Sequence, residues 1–262
     1  MRLLLMAIFI LSAFLYPTKA QEPCHLALIQ PTLVWGDVRA NLTAFDERIQ
    51  RCEDSDLIIL PELFASGCDM RKKAPGLSLK AKDEVASRFT EILGKMKSWS
   101  ARTQALVVGS TIYKEEGKYY NRLLAVFPDG SYQYYDKHNC FKKEVYTPGD
   151  KQLILSWKGH RIATYICYDL RFPEWSRNQD RSYDTALYIA NWPDSRRDDW
   201  NKLLRERAIE NQAYIIAVNC AGTDLAGLSY AGDSYLLSPQ GNILGRCEPY
   251  KDDILFIELP GL

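Results

Sequence analysis

Three segments of this sequence each place one reactive side chain at the end of a strand-like run. Glu62 and Cys167 follow runs of aliphatic and β-branched residues, and Lys137 ends a run in which apolar and polar residues alternate. Such runs are typical of strands in a folded sheet. Ligands of α/β sheets bind beyond the carboxyl ends of the strands. A carboxylate, an ammonium and a thiol that meet there would supply a base, a cation and a nucleophile.

Cys167 is the most informative of the three because its neighbours also predict a sharp change of structure. The strand pattern of Ile162–Ile166 stops at the cysteine, and Pro173 favours the start of a helix. The positive end of a helix lowers the pKa of a thiol that faces it, so we expect a thiolate here. A lone cysteine is more often a small buried hydrophobe, but the other two segments favour a chemical role.

The runs that contain these three residues resemble those of the nitrilase, or carbon–nitrogen hydrolase, superfamily. The similar runs occur in the family's order after residue 24: Leu60–Phe64, Tyr135–Lys137, Cys167–Pro173, Ala190–Pro193, Arg207–Tyr214, Gly232–Ser234 and Ser238–Gly241. The sequences of Ala190–Pro193 and of Asn211–Tyr214 are most similar to those of the omega-amidase branch. Members of that branch hydrolyse the terminal amide of dicarboxylic acid monoamides such as 2-oxoglutaramate. The resemblance implies an α/β fold, a four-layer α-β-β-α sandwich.

The resemblance also implies a role for each reactive side chain. Cys167 is expected to be the nucleophile and Glu62 the general base. Lys137 and the backbone N–H of Tyr168 are expected to stabilise the oxyanion. Family members often have a second glutamate that helps to hold the lysine, and Glu144 is the candidate here. A solvated loop carboxylate is the alternative interpretation of Glu144.

The sequence offers several candidates for the residues that bind the substrate. The candidates around the nucleophile are Phe64, Tyr168, Arg171, Asn191 and Trp192. Arg171 could instead be structural, held by Asp169 or Glu174. Arg196 and Arg197, which follow the tryptophan, are also able to bind a carboxylate.

Two departures from the family pattern keep other functions open. Asn139 stands where relatives usually have a histidine, and Cys68 stands where a larger apolar residue is common. Both positions put the substrate in question more than the reaction. The alternatives are a nitrilase, an N-carbamoyl-amine hydrolase, a secreted pantetheine- or biotin-type amidase, and a non-catalytic binding protein on the same fold.

Composition excludes several classes of partner. Lysine plus arginine and aspartate plus glutamate are both 33, so the charge pattern does not predict binding to nucleic acid. His25, His138 and His160 are not spaced as metal ligands, and no glycine-rich phosphate loop follows a strand. We therefore expect a small-molecule amide substrate and no metal or cofactor. By analogy with the family, we expect a homodimer formed through the segment after Cys167 and the C-terminal strand.

The first twenty residues differ from the rest of the chain. Arg2 is followed by the apolar run Leu3–Leu15 and by a small-residue end at Ala20, which predicts a secretory signal peptide over residues 1–20. An uncleaved membrane anchor is the alternative. Export would place a hydrolase domain of residues 21–262 in a periplasm or outside the cell, without stable membrane insertion. Seven cysteines leave at least one thiol unpaired, and we expect mostly buried thiols with room for one disulfide.

Strands and helices alternate along the remaining chain, which predicts one α/β domain. The apolar spacing predicts helices over Asp37–Arg51, with Asp37 as N-cap, over Lys82–Thr103 and over Asp198–Gln212. Pro128–Gly130 predicts the turn of one hairpin and Lys158–His160 that of another.

Overall fold

The structure is a computed structural model that describes residues 23–68, 78–141 and 146–261. The predicted signal segment 1–20 and Glu144 lie outside the described residues. Within the described ranges, no helix is long and apolar enough to cross a membrane.

The first of two six-stranded sheets contains the strands that lead to Glu62 and Lys137. Its strands, in spatial order, are β14 (Asp253–Leu259), β1 (Cys24–Gln30), β2 (Leu57–Ile59), β3 (Leu106–Glu115), β4 (Lys118–Val126) and β5 (Tyr132–Asp136). The central strands β1, β2 and β3 are parallel, and the others pair antiparallel. The predicted turn at Pro128–Gly130 joins β4 and β5, which confirms that hairpin.

The second sheet contains the strand that leads to Cys167. Its strands, in spatial order, are β13 (Ile243–Arg246), β12 (Tyr235–Leu237), β9 (Tyr214–Asn219), β8 (Thr185–Ala190), β7 (His160–Ile166) and β6 (Ile154–Trp157). Strands β7, β8 and β9 are parallel. A separate ribbon of β10 (Ala221–Thr223) and β11 (Ser229–Ala231) was not predicted, because these short strands consist mostly of small and polar residues and lack the apolar run that marks β2.

Helices cover the outer face of each sheet. The helices of the first half are α1 (Val38–Gln50), α2 (Leu79–Ser87) and α3 (Phe89–Thr103), and those of the second half are α4 (Pro173–Ser176) and α5 (Arg197–Asn211). The predicted N-cap of α1 is confirmed, since Asp37 accepts a hydrogen bond from the backbone N–H of Ala40 at 2.9 Å.

Alternation along the strands divides the apolar side chains into separate layers. In β1, Ala27 and Ile29 pack with the helices, whereas Leu26 and Leu28 pack between the two sheets. A third cluster joins the outer face of the second sheet to α5, with Trp200 at its centre. The predicted four-layer α-β-β-α sandwich is confirmed.

The predicted continuous helix Lys82–Thr103 is wrong, because it is two helices that meet at Arg88. Arg88 has φ −93° and ψ 8°, and its N–H donates to the carbonyl of Val85 rather than continuing the regular ladder. Its guanidinium then pairs with Glu91. The apolar periodicity continues across the break, so the pattern alone does not show it.

The expectation of mostly buried free thiols is confirmed, and the single disulfide for which the sequence left room does not form. All seven cysteines are described, and each is a free thiol. Five of them are buried, in the packed cores or at their edges: Cys24, Cys52, Cys140, Cys220 and Cys247. Burial raises the pKa of Cys24 and of Cys52 to about 12, so these thiols are neutral packing groups.

Candidate active site

The reactive residues come together where strands of the two sheets end. Glu62 follows β2, Lys137 follows β5, Cys167 follows β7 and Asn191 follows β8. Because β2 belongs to one sheet and β7 and β8 to the other, the site forms across the interface between the sheets. This placement agrees with the rule that α/β folds bind ligands at strand carboxyl ends.

The Glu62 carboxylate is held by three donors. Its Oε1 accepts from Lys137 Nζ at 2.7 Å and from Asn121 Nδ2 at 2.7 Å, and its Oε2 accepts from the backbone N–H of Asn191 at 2.9 Å. The Asn191 side chain also donates to the Glu62 carbonyl. Glu62 is 3% exposed and Lys137 is 5% exposed, so this ion pair lies in a largely water-free environment. The donors therefore determine which way the carboxylate faces.

Lys137 remains a cation in spite of its burial. Burial by itself lowers the pKa of its ammonium, but the negative charges of Glu62 and Asp169 act in the opposite direction and raise the pKa overall. Its backbone N–H donates to the carbonyl of Asn121 at 3.0 Å, which ties it to the neighbouring strand β4. The site thus contains a fixed positive charge beside its carboxylate.

Cys167 lies at a strained turn between β7 and a 3₁₀ helix, Cys167–Arg171. Its φ of 47° is in the left-handed region, which is unusual for a residue other than glycine. Leu63, directly after Glu62, has a φ of 46°. Strained backbone next to both the thiol and the carboxylate is typical of a functional site rather than of ordinary packing.

The expectation that Cys167 is a thiolate in the resting protein is wrong. Burial and the nearby Glu62 carboxylate raise the pKa of the thiol, and the opposing effect of Lys137 is smaller. The segment after the cysteine is a 3₁₀ helix of five residues, so the dipole of a long helix does not face the sulfur. The thiol is therefore neutral at rest, with the Glu62 carboxylate close enough to act on its pKa.

Asp169 fixes the turn on which Cys167 lies. This fully buried carboxylate accepts from the backbone N–H of Ile166 at 3.0 Å, from that of Asn139 at 2.7 Å and from the Tyr135 hydroxyl at 2.7 Å. Burial raises the pKa of Asp169, while Lys137 and these hydrogen bonds oppose the rise. Asp169 connects the end of β7 to the segment after Lys137.

Trp192 and Arg171 lie together beside the site. The Trp192 ring is buried, and the Arg171 guanidinium lies 4.9 Å from its centroid. Arg171 donates to Asp199 at 2.6 Å, so its partner is neither of the two carboxylates that the sequence suggested. The Asn219 side chain accepts from the backbone N–H of Trp192 at 2.8 Å and donates to the backbone carbonyl of Trp192 at 3.1 Å.

The remaining candidates occupy different places. Tyr168 is half-buried and contacts Phe141 and Phe172 edge-on, with ring centroids 5.2 and 5.3 Å apart. Phe64 packs between the helices and the first sheet against Phe45, and its predicted contact with the substrate stays a prediction. The predicted role of Glu144 is not addressed by the described residues.

Several residues at the site were not identified from sequence. Asn121, Tyr135 and Asn219 all lie in or at the end of strand patterns and contribute hydrogen bonds to site residues. A signal for the two asparagines was available in the sequence. Asparagine is depleted in strands, yet Asn121 begins and Asn219 ends an otherwise apolar run. Within the described ranges, no group of histidine, cysteine, aspartate and glutamate could hold a metal ion. His138 instead stacks on Trp175, with ring centroids 3.6 Å apart.

Comparison with known proteins agrees with the geometry. The family model described as carbon-nitrogen hydrolase matches residues 25–261. The omega-amidase YafV of Yersinia enterocolitica is 41% identical over 238 residues, which cover 89% of each chain. The 2-oxoglutaramate amidase of Bacillus subtilis (strain 168) is 29% identical and covers 84% of this chain and 85% of its own.

A solved structure extends this similarity to the fold. XC1258 from Xanthomonas campestris, a CN-hydrolase superfamily protein with an arsenic adduct in its active site, is 33% identical and has a TM-score of 0.83, with 91% of both chains covered. The sequence matches, the shared fold and the three reactive groups at the strand ends lead to one conclusion. The chain belongs to the carbon–nitrogen hydrolase, or nitrilase, superfamily and is a hydrolase that acts on amide bonds.

Proposed function

We propose that this protein is an omega-amidase that hydrolyses a small dicarboxylic acid monoamide, such as 2-oxoglutaramate, to the carboxylate and ammonia. The observation that carries the proposal is the buried ion pair of Glu62 and Lys137, at 2.7 Å, whose two charges both act on the Cys167 thiol. The relatives named omega-amidase and 2-oxoglutaramate amidase support this choice of substrate.

The first half of the reaction forms a thioester. Glu62 removes the proton from the Cys167 thiol as the sulfur attacks the amide carbon, because the neutral thiol is a poor nucleophile. Lys137 and the backbone N–H of Tyr168 stabilise the negative charge that develops on the amide oxygen. Glu62 then gives its proton to the departing nitrogen, and ammonia leaves as the tetrahedral intermediate collapses.

The second half of the reaction hydrolyses the thioester. Glu62, again a carboxylate, takes a proton from a water molecule while that water attacks the carbonyl carbon. The tetrahedral intermediate returns the electron pair to sulfur, the proton goes back to Cys167, and the dicarboxylic acid is released. The hydrogen bonds from Asn121 and Asn191 keep one carboxylate in place for both proton transfers.

The first experiment measures ammonia release from a panel of substrates. The panel contains 2-oxoglutaramate, succinamate, asparagine, glutamine, an N-carbamoyl-amino acid and a simple nitrile. We expect release from the two dicarboxylic monoamides, with Cys167→Ala abolishing it. Preference for the carbamoyl compound or the nitrile would replace the omega-amidase proposal. Silence across the panel, with a thiol that resists alkylation, would favour a non-catalytic binding protein.

We also propose that residues 1–20 direct export. The support is the positive, apolar and small-residue order of this segment. The test is expression of the full chain in a bacterium, cell fractionation and N-terminal sequencing. Export predicts a periplasmic or secreted protein that begins at Gln21. A full-length cytosolic or membrane-bound protein would contradict the proposal.

A homodimer is the third part of the proposal. Its support is the analogy with the family and the exposed Phe256 on the C-terminal strand β14, which is 50% exposed in the single chain. Light scattering after size-exclusion chromatography should give twice the mass of one chain. A Phe256→Asp substitution should shift the protein toward monomer, and a monomeric wild type would contradict the proposal.

A further inference from the structure

We infer that Arg196 binds the distal carboxylate of the substrate and so selects dicarboxylic monoamides over neutral amides. The inference rests on the proposed function and adds the residue that determines its specificity. Three arginines lie close to Trp192 in sequence or space, and the argument for one of them follows from what the other two already bind.

Two of the three arginines already bind a carboxylate within the fold. Arg171 pairs with Asp199 at 2.6 Å. Arg197 pairs with the fully buried Asp233 through Nε at 2.5 Å and Nη2 at 3.0 Å, and its Nη1 contacts the Tyr250 hydroxyl at 3.1 Å. A guanidinium whose donors face a protein carboxylate is poorly placed to bind a second carboxylate.

Arg196 differs because two aromatic rings lie against its guanidinium and Asp199 acts on it through charge alone, with no ion pair among the described residues. The Cζ atom lies 5.0 Å from the Phe141 ring centroid and 6.0 Å from that of Trp192. Aromatic faces orient a guanidinium without using its N–H donors, which leaves the planar fork available for a bidentate carboxylate.

The contacts of Arg196 connect it to the site from two sides. Phe141, which lies under its guanidinium, contacts Tyr168 next to the nucleophile, and Trp192 follows Asn191, whose backbone N–H donates to Glu62. These contacts form two arcs that run from the ion pair and the nucleophile to Arg196. A linear substrate with its amide at Cys167 would direct its far end toward the point where the two arcs meet.

The local structure supports a functional reason for this arginine. Arg196 is the N-cap of α5, has no side-chain capping hydrogen bond, and places a cation at the positive end of the helix. Arg88 occupies the same position in α3, but it is neutralised by Glu91 three residues later. The corresponding residue after Arg196 is Asp199, which binds Arg171 instead. Asp198 and Asp199 in the first turn already complement the positive end of the helix, so the fold itself does not need a cation at this position.

The test compares two substrates that differ only at the distal end. Succinamate carries the carboxylate, and butyramide has a methyl group in its place. We expect Arg196→Met to lower the ratio of kcat/KM for succinamate to that for butyramide by about 10- to 100-fold, the range for one charged hydrogen-bonded contact. Arg196→Lys should recover part of the ratio, because it keeps the charge but loses the bidentate geometry.

Arg171→Met is the matched comparison, because Arg171 contacts the same tryptophan ring. We expect it to change both substrates by the same factor. An unchanged ratio in Arg196→Met, or a ratio lost only in Arg171→Met, would overturn the inference. If the wild type hydrolyses no dicarboxylic monoamide, the proposed function fails instead, and the two failures are distinguishable.

A stability measurement separates binding from a structural role. Arg196→Ser replaces the cation with a favoured N-cap residue, so we expect Tm to rise by about 2 °C while the substrate ratio falls. A Tm that falls together with activity on both substrates would assign Arg196 to the fold and overturn the inference.

Discussion

Two buried carboxylates interact with Lys137, and they are held by different kinds of donor. Glu62 accepts from the lysine ammonium, from an asparagine amide and from one backbone N–H, and its charge acts on the thiol. Asp169 accepts from two backbone N–H groups and a tyrosine hydroxyl. All three donors of Asp169 are neutral parts of the framework. The comparison separates a carboxylate that can exchange a proton with the nucleophile from one that fixes the nucleophile's position.

The largest expected effect is loss of activity in Glu62→Gln. The variant keeps the shape of the side chain but cannot take the thiol proton, so kcat/KM should fall by about 10³-fold or more. Ammonia release and near-ultraviolet circular dichroism would measure activity and fold together. Asp136→Asn is the control, since that carboxylate is one residue from Lys137 but binds Arg122. A Glu62→Gln enzyme with a tenth of wild-type activity would remove Glu62 from its role as base.

Asp169→Asn should affect stability more than the Glu62 variant affects it. The new amide NH2 group would face one of the groups that now donate to Asp169, so two donors would oppose each other. A buried N–H would then lose its acceptor, at a cost of about 3 kcal/mol. Activity should fall by about 100-fold because the Cys167 turn moves relative to Glu62. Urea unfolding and steady-state kinetics would measure both. Full stability with lost activity would place Asp169 in the chemistry and would remove the distinction between the two carboxylates.

The pH dependence of Cys167 alkylation should shift by an amount that is smaller than the losses of activity above. The pKa of the thiol is raised by burial and by Glu62 and is lowered by Lys137, so wild-type alkylation should still be increasing above pH 9. Glu62→Gln removes a negative charge that raises this pKa, and the profile should therefore move to lower pH. Asp169→Asn should move the profile much less. Iodoacetamide labelling followed by mass spectrometry measures the profiles, and a shift to higher pH in Glu62→Gln would contradict the assignment.

Tyr135→Phe should give the smallest effect. It removes one of three donors to Asp169 and leaves both backbone N–H donors in place, but the backbone N–H of His138 and the indole N–H of Trp175 lose their acceptor. Loss of these hydrogen bonds should cost about 2 kcal/mol, which corresponds to a decrease in Tm of about 4–8 °C. Activity should stay within about threefold of wild type. A loss as large as that of Asp169→Asn would mean that the tyrosine hydroxyl, rather than the backbone pair, holds the carboxylate.

Most elements of the fold were predictable because their patterns are local. The strand β1, the N-cap Asp37 and the hairpin at Pro128–Gly130 all follow from residue spacing and turn chemistry. The break at Arg88 was not predictable, because the apolar spacing continues through it and only the tertiary packing determines where one helix ends. The short ribbon β10–β11 was not predicted, because its small and polar residues show neither an apolar run nor an alternating pattern.

The sequence by itself determined which residue types end the strands, and with the family resemblance it identified Glu62, Lys137 and Cys167 as the reactive set. Tertiary structure decided the protonation of the thiol, because burial and a carboxylate from the other sheet act on its pKa together. Tertiary structure also places Asp199 beside Arg171 and Asp233 beside Arg197, whereas aromatic rings lie against Arg196. Adjacent arginines look alike in a sequence, and only the carboxylates that packing brings beside them determine which guanidinium remains able to bind a ligand.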